Sequence, residues 1–413
     1  MTQKTLLALG GSRLLMPLID VAHDMGHRVV TCDYLPDNYA HSFADDYRNV
    51  SITDLDAVLA TAKDCGADGI VSWAADPGVV AAAYAAEHLG LPFQGSFEAA
   101  RTLQDKAAFR DFLRRHDLPS PQARTYTSSS VAADESDAIE YPVIVKPTDA
   151  AGSKGVTRVN APEQLQAAVD TALSFSLRGE AVVETYIIGM GRQISAEGFL
   201  VDGRWGYIGF MDQMFDDDGP NPYAPVGNIL PSQMDPDILE QLTRDLQRIA
   251  DLLNLTSGIF NIECRVDTNR TPHILELSPR GGGNRLAEFI RCATGIDLIT
   301  ATVEAALGHT ITSFPRSAIS GVWVQQMLYS RTAGVFDGIR LNPDFERNHI
   351  VEITPWVNLG DPVMSFGHAS FALGSAFQRF DSYADAIAAT NWPHDNFALD
   401  VRPSNDVLGA QAE

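Results

Sequence analysis

The chain has few cysteines, few basic residues and no long apolar run, and each shortage removes a class of protein. Its four cysteines, Cys32, Cys65, Cys264 and Cys292, are scattered along 413 residues. None has the close spacing of a metal-ligand pair, and a chain this long is no small disulfide scaffold, so the thiols read as reduced in a cytoplasm. Lysine and arginine total 30 against 53 aspartates and glutamates, a formal charge of -23. With no basic run, nucleic-acid binding is excluded as a main role, and a phosphate-bearing ligand would need a local basic pocket. The opening "MTQKTLLALGGSRLL" breaks its apolar run at Gly10 and Gly11, unlike a secretory signal. Asp76 and Pro77 interrupt "GIVSWAADPGVVAAAYAA", so no membrane partner is expected. "GGSRLL" lacks the third glycine and the spacing of a dinucleotide fingerprint, which argues against a nicotinamide enzyme.

What is present begins with alternation of strand and helix. "KTLLALGG", "HRVVTCDY" and "ADGIVSW" read as buried strands, and "SRLLMPLIDVAHDMG", "ITDLDAVLATAKDCG" and "PGVVAAAYAAEHLG" as the helices between them. That order makes a doubly wound, parallel α/β unit over residues 1–98. "SFEAARTLQDKAAFRDFLRRHDLPSP" follows as a helical stretch with Lys106 in its middle. Beyond about Ile311 short strands dominate, giving a small β-rich unit over 311–413, and residues 99–310 lie between the two.

The densest chemistry sits in "GIFNIECRVD" and "HILELSPRGGGN", two alternating segments joined by the turn "TNRTP". Phe260, Ile262, Cys264 and Val266 face one way with Leu275 and Leu277, leaving Glu263 and Glu276 on the other face with Ser278 and Arg280. A turn centred between Asn269 and Arg270 sets Glu263 across from Glu276. Like charges so placed destabilise a sheet, and a hard divalent cation such as Mg2+ would turn that repulsion into a site. The same pattern also fits a solvated hairpin face that carries two glutamates. A second constellation is Lys146, at the end of the apolar strand "VIVKP", followed by the loop Gly152, Ser153, Lys154, Gly155. Such a loop either only turns a hairpin or lays backbone N–H groups and a lysine against phosphates. The long proline- and asparagine-rich stretch "DDDGPNPYAPVGNILPS" has the length of a functional loop.

Taken in order, Lys106, "VIVKP", "GSKGV", "VVETYI", "GRQISAEGF", "GIFNIECRVD" and "ILELSPR" resemble the ATP-grasp superfamily, and within it the carboxylate-amine ligases, including the L-amino acid ligases. The resemblance spans nearly the whole chain. It implies an α/β and α+β architecture: the N-terminal unit, a central ATP-grasp domain with a mobile lid at about 122–190, and the β-rich C-terminal unit. It also implies roles. Lys106 and Lys146 would contact ATP phosphates, and Gly152 to Gly155, with Ser153 and Lys154, would close over them. Glu184 and the backbone at Tyr186 and Ile187 would read adenine. Glu263 and Glu276, with Ser278, would hold Mg2+ (or Mn2+), and Arg280 would stabilise the transferring phosphoryl group. Gly281, Gly282, Gly283 and Asn284 would let backbone N–H groups approach a small anionic substrate, while Asn284 could equally cap the helix that follows.

Three positions depart from the family pattern. Gln193 replaces the usual ribose-binding glutamate, Ser278 the usual asparagine, and Asn228 a histidine often near the substrate. Asparagine is neutral at all pH, so catalysis should not depend on a base at residue 228. The activity implied is joining of a carboxylate to an amine through an acyl phosphate, with small-molecule substrates and release of ADP and phosphate. A carboxylase that activates bicarbonate is the same-fold alternative. Relatives are commonly dimers, which leaves a homodimer open.

Overall fold

The computed structural model describes residues 2–150, 152–315, 319–390 and 397–403. In the N-terminal unit, β1 (Thr5–Leu9), β2 (Arg28–Asp33), β3 (Asp46–Asn49) and β4 (Gly69–Ser72) form a parallel sheet of order β3-β2-β1-β4. Alternate residues of β1 feed different cores: Leu6 and Ala8 pack with helix Met16–Asp24, whereas Leu7 and Leu9 pack with helices Leu55–Asp64 and Asp76–Leu89. Strands buried on both faces read as continuous apolar runs, which is why three of the four were legible. The fourth, β3, is the polar edge segment "DYRN" and carries no such pattern.

The stretch around Lys106 is two helices, Phe97–Gln104 and Lys106–Arg115, rather than one. Asp105 has extended backbone, and its side chain accepts the Ala108 N–H at 3.0 Å, an N-cap that starts a new helix. Lys106 therefore opens a helix instead of lying mid-way along one.

Four antiparallel strands, β5 (Ala123–Tyr126), β6 (Val143–Pro147), β7 (Thr157–Val159) and β8 (Ala181–Thr185), form a sheet of order β5-β8-β6-β7. Helix Leu165–Phe175 covers it through Leu165, Ala168, Val169 and Ala172. The central strands are β9 (Ile194–Val201), β10 (Arg204–Phe215), β11 (Pro225–Leu230), β12 (Gly258–Val266) and β13 (Pro272–Ser278). From the last hundred residues come β14 (Val322–Leu328), β15 (Gly334–Leu341), β16 (Ile350–Pro355), β17 (Pro362–Val363), β18 (Gly374–Phe380) and β19 (Phe397–Arg402). Of these, β14, β18 and β16 extend the central sheet to eight antiparallel strands of order β13-β12-β9-β10-β11-β14-β18-β16, and only β17, β15 and β19 make a sheet of their own. Sequence patterning places strands but not their partners, so this continuity was not visible in it. Helices Phe97–Gln104, Lys106–Arg115 and Pro236–Leu252 cover one face of the central sheet through Phe260, Ile262, Cys264 and Leu277. The opposite face carries the polar side chains described below. Among the described residues no helix is long and apolar enough to cross a membrane.

Candidate active site

Glu263 of β12 pairs with Glu276 of β13 in the expected register, and the turn closes where Arg270 N–H meets the Asp267 carbonyl. One detail differs. The register shifts between Glu263 and Cys264, so that Ile274, not Leu275, joins the apolar face beside Cys264. A bulge leaves one residue unpaired and re-aims its neighbours. The carbonyl of Leu275 takes up Arg110 Nη2 at 2.8 Å. Burial, then the facing Glu276, pushes the Glu263 carboxyl up to about 7. Gln213 Nε2 donates to Glu263 Oε1 at 3.4 Å and itself accepts Gln193 Nε2 at 2.8 Å, so residue 193 is linked to the carboxylate pair through Gln213. No group of three or more His, Cys, Asp or Glu is poised to hold a metal among the described residues. Two hard oxygen donors that repel each other fit a divalent cation whose other ligands are phosphate and water.

Cations surround this pair. Lys106 Nζ lies 4.0 Å from Glu276 and donates to the Ala150 carbonyl at 3.0 Å, while Arg280 Nη2 is 3.7 Å from Glu276. Lys146 Nζ is 2.7 Å from Glu184 Oε2, and Arg110 Nε is 2.8 Å from Glu184 Oε1. Burial alone would raise the Glu184 carboxyl, but Arg110 and then Lys146 outweigh it and hold it at about 2. Burial, helped by Arg110 and Lys106, lowers Lys146 against the pull of Glu184. The Glu184 carboxylate, expected at the adenine, is paired with two cations. Tyr186 donates its N–H to Pro142 at 3.0 Å, its hydroxyl accepts Arg265 Nη2 at 3.1 Å, and Arg158 stacks 4.2 Å from its ring centroid. Ile187 continues the segment toward the bridge between Gly189 and Asp267.

The glycine loop lies against the long loop singled out by its length. Gly152, Ser153 and Gly155 have φ of 70°, 60° and 67°. Ser153 Oγ donates to the Tyr223 carbonyl at 2.8 Å, and Asn221 Nδ2 spans the Ser153 carbonyl at 3.2 Å and the Gly367 carbonyl at 2.8 Å. Lys154 is half-buried within it.

Arg280 is held by an unexpected partner. Its Nε is 2.7 Å from Asp76 Oδ1 and its Nη2 is 2.8 Å from Asp76 Oδ2. Ser278 Oγ donates to Asp76 at 2.8 Å and accepts Gln104 Nε2 at 2.6 Å, so this hydroxyl, expected on the metal, bridges two side chains instead. Asn228, expected at the substrate, is also engaged: its Oδ1 accepts Ser195 Oγ at 2.6 Å and its Nδ2 donates to Gln325 at 2.9 Å. In the glycine run Gly282 donates its N–H to buried Glu197 at 2.9 Å, so that donor is not open to a substrate anion, and a Cβ there would lie 2.2 Å from Glu197 Oε1. Gly281 packs on Trp73, and Gly283 faces Leu14. Asn284 and Arg285 both have left-handed φ, 58° and 64°, and helix Leu286–Thr294 starts from Arg285 with no side-chain cap, so Asn284 does not cap it.

Arg110, Gln104, Gln213 and Glu197 were not among the expected site residues. Arg110 had a trace in the sequence, a charge set between Phe109 and Phe112 on the apolar side of its helix. Glu197 carries a testable consequence. Its Oε1 also accepts Asn261 Nδ2 at 2.8 Å, yet burial pushes this carboxyl up to about 7. A carboxyl raised in the folded state costs stability as pH rises from the ordinary carboxylate range to about 7, and that loss persists above it. Glu197→Gln keeps the Oε1 acceptor without the charge. It should gain about 1–3 kcal/mol over the natural protein at about pH 8 and nothing at about pH 4, read by denaturant unfolding. Equal stabilities at both would show that the carboxylate is not desolvated.

Residues 139–288 match the model of the ATP-grasp domain family, so this stretch of the chain carries an ATP-grasp domain. The structure is similar to that of L-amino acid ligase from Bacillus licheniformis, with TM-score 0.77 and 18% identity over 97% of this chain and 100% of that one. It is also similar to phosphoribosylglycinamide synthetase from Anaerococcus prevotii, with TM-score 0.73, 19% identity and the same coverage. In sequence, 223 residues are 26% identical to the carbamoyl phosphate synthase large chain of Mycobacterium bovis, over 54% of this chain and 20% of that protein. The chain thus spans about a fifth of the length of that relative.

Proposed function

We propose that this protein is an ATP-dependent carboxylate-amine ligase that forms an amide through an acyl phosphate and releases ADP and phosphate. The observation that carries the reading is the Glu263–Glu276 pair, facing across β12 and β13 with Lys106 and Arg280 within 4.0 Å of Glu276. Glu263 and Glu276 would hold Mg2+, which when bound offsets phosphate charge. Lys146, steadied by Glu184, and Lys106 would take the phosphates, with the Gly152–Gly155 loop closing over them. At the hinge, with the Tyr186 N–H already used, adenine would meet the Tyr186 carbonyl and the Ile187 backbone. Gln193 would offer its amide to the ribose.

The chemistry follows from charge. A carboxylate is a poor electrophile, and one oxygen of the acid must displace ADP from the γ-phosphorus before an amine can attack its carbon and expel phosphate. Negative charge grows on the phosphoryl oxygens during the first displacement, and Arg280 stands where it can stabilise that charge. Closure of the lid would exclude water from the acyl phosphate. The similarity to L-amino acid ligase supports an amino acid as the acid, and the buried, neutral Asn228 supports a mechanism with no base at that position.

Phosphate release from Mg-ATP, measured across pairs of amino acids and other small carboxylates and amines, with and without bicarbonate, tests the reading. ADP and phosphate should appear only with particular acid and amine pairs. Turnover that requires bicarbonate would replace the ligase with a carboxylase, and no turnover with any pair would sink both.

A further inference from the structure

Resting on the ligase reading of this site, we infer that Asp76 is a positioning residue: it grips the Arg280 guanidinium by its Nε/Nη2 edge, turns the remaining N–H groups toward the carboxylate pair, and keeps the resting arginine from trapping anions. The two residues come from different layers. Asp76 opens helix Asp76–Leu89 of the N-terminal unit, and Arg280 follows β13 of the central sheet. Both contacts are short and parallel, 2.7 and 2.8 Å, the bidentate geometry in which a carboxylate fixes the plane of a guanidinium.

The backbone that delivers Asp76 is unusual. Ala74 has φ 52°, left-handed for a residue with a side chain, and Ser72 Oγ closes the turn onto the Ala75 carbonyl at 2.5 Å. Strain of this kind persists only where the surroundings over-determine it, and it clusters at functional sites. Trp73, one residue earlier, is buried against Gly281, so the same short segment touches both Arg280 and the glycine next to it. Ser278 adds a third tie, donating to Asp76 Oδ1 at 2.8 Å.

A guanidinium has five N–H donors. Nε and one N–H of Nη2 go to Asp76, and one N–H of Nη1 goes to the Gly281 carbonyl at 3.1 Å. What remains is one N–H each on Nη1 and Nη2, and Nη2 is 3.7 Å from Glu276. Asp76 also neutralises the arginine at rest. An unpaired buried guanidinium would bind substrate and product anions as tightly as the transition state, and such uniform binding gives no acceleration.

The test uses two variants of the full chain and two probes. Asp76→Asn should bind orthophosphate about tenfold more tightly in the presence of Mg-ADP, by calorimetry, because Arg280 loses its nearest counter-charge and keeps only the more distant Glu276. With an acid and amine pair from the phosphate-release panel, the same variant should show kcat reduced about 100-fold and a KM for Mg-ATP within about twofold of the natural protein. Asp76→Glu keeps the charge but displaces the guanidinium, so it should leave orthophosphate affinity unchanged and still lose kcat. Natural kcat and orthophosphate affinity in Asp76→Asn, or equal weakening of every ligand, would overturn the inference. If Asp76→Asn does not fold, a folded Asp76→Glu with natural kcat overturns it instead. Should no pair turn over with the natural protein, the ligase reading fails, and the orthophosphate measurement still decides for or against Asp76.

Discussion

Glu276→Gln should cut turnover about 100- to 1,000-fold and at the same time make the nucleotide-free protein more stable above neutral pH. The two effects share one cause. Glu263 and Glu276 face each other across β12 and β13, and burial followed by the Glu276 charge raises the Glu263 carboxyl to about 7. A carboxyl raised in the folded state costs stability as pH rises from the ordinary carboxylate range through about 7, and the loss remains above that value. Glutamine at residue 276 removes the second cause and so shrinks the loss. The contacts it weakens are lesser ones. Lys106, 4.0 Å away, keeps the Ala150 carbonyl, and Arg280, 3.7 Å away, keeps Asp76. The melting temperature of the variant should therefore exceed that of the natural protein at about pH 8 and converge with it at about pH 4. Added Mg-ATP should reverse the order, raising the natural protein far more. A variant that turned over normally, or that Mg-ATP stabilised equally, would remove the cation from this carboxylate pair.

The sequence was most informative where a residue's partner is close along the chain. The hairpin of β12 and β13 could be read because apolar alternation and the turn at Asn269 and Arg270 fix its register within about twenty residues. Its bulge at Cys264 could not, because nothing local marks an extra residue. The partners of the expected site residues were hidden for a different reason. Asp76 meets Arg280 across 204 positions, and Asn228 meets Gln325 across 97, distances at which periodicity says nothing. Two side chains have partners that were hidden for this reason. Ser278 and Glu184 have the chemistry of a metal ligand and an adenine contact, but Asp76 and Gln104 claim the first, and Arg110 and Lys146 the second. The central sheet teaches the same point on a larger scale. Strands β14, β16 and β18 could be anticipated as strands, yet their continuity with β11 depends on the pairing of Gly227 with Gln326 and its neighbours.

Glu184→Gln should be the most destabilising single change at the site, about 3–5 kcal/mol, because it leaves two buried cations without their counter-ion. Arg110 and Lys146 flank the carboxylate at 2.8 and 2.7 Å; Arg110 and Glu184 are almost fully buried, and Lys146 is partly buried. The Glu184 carboxyl sits at about 2, below its ordinary value. Its contribution is therefore complete above the ordinary carboxylate range and is lost as pH falls toward about 2, so the deficit of the variant should be full near neutrality and vanish in acid. The two cations respond differently. Arg110 cannot release its proton, whereas Lys146, already lowered by burial, can, and loss of the Glu184 charge that opposes this lowering shifts it further the same way. The variant should then bind Mg-ATP weakly as well as unfold easily. Lys146→Met separates the two losses: Glu184 keeps Arg110, so stability should fall less than in Glu184→Gln, while the lysine that meets the phosphates is gone. Combining the two substitutions should recover part of the stability lost in Glu184→Gln and none of the nucleotide affinity. Denaturant unfolding and calorimetry with Mg-ATP on the three variants read both quantities. Strict additivity of the stabilities would mean that Lys146 and Glu184 are not in contact in solution.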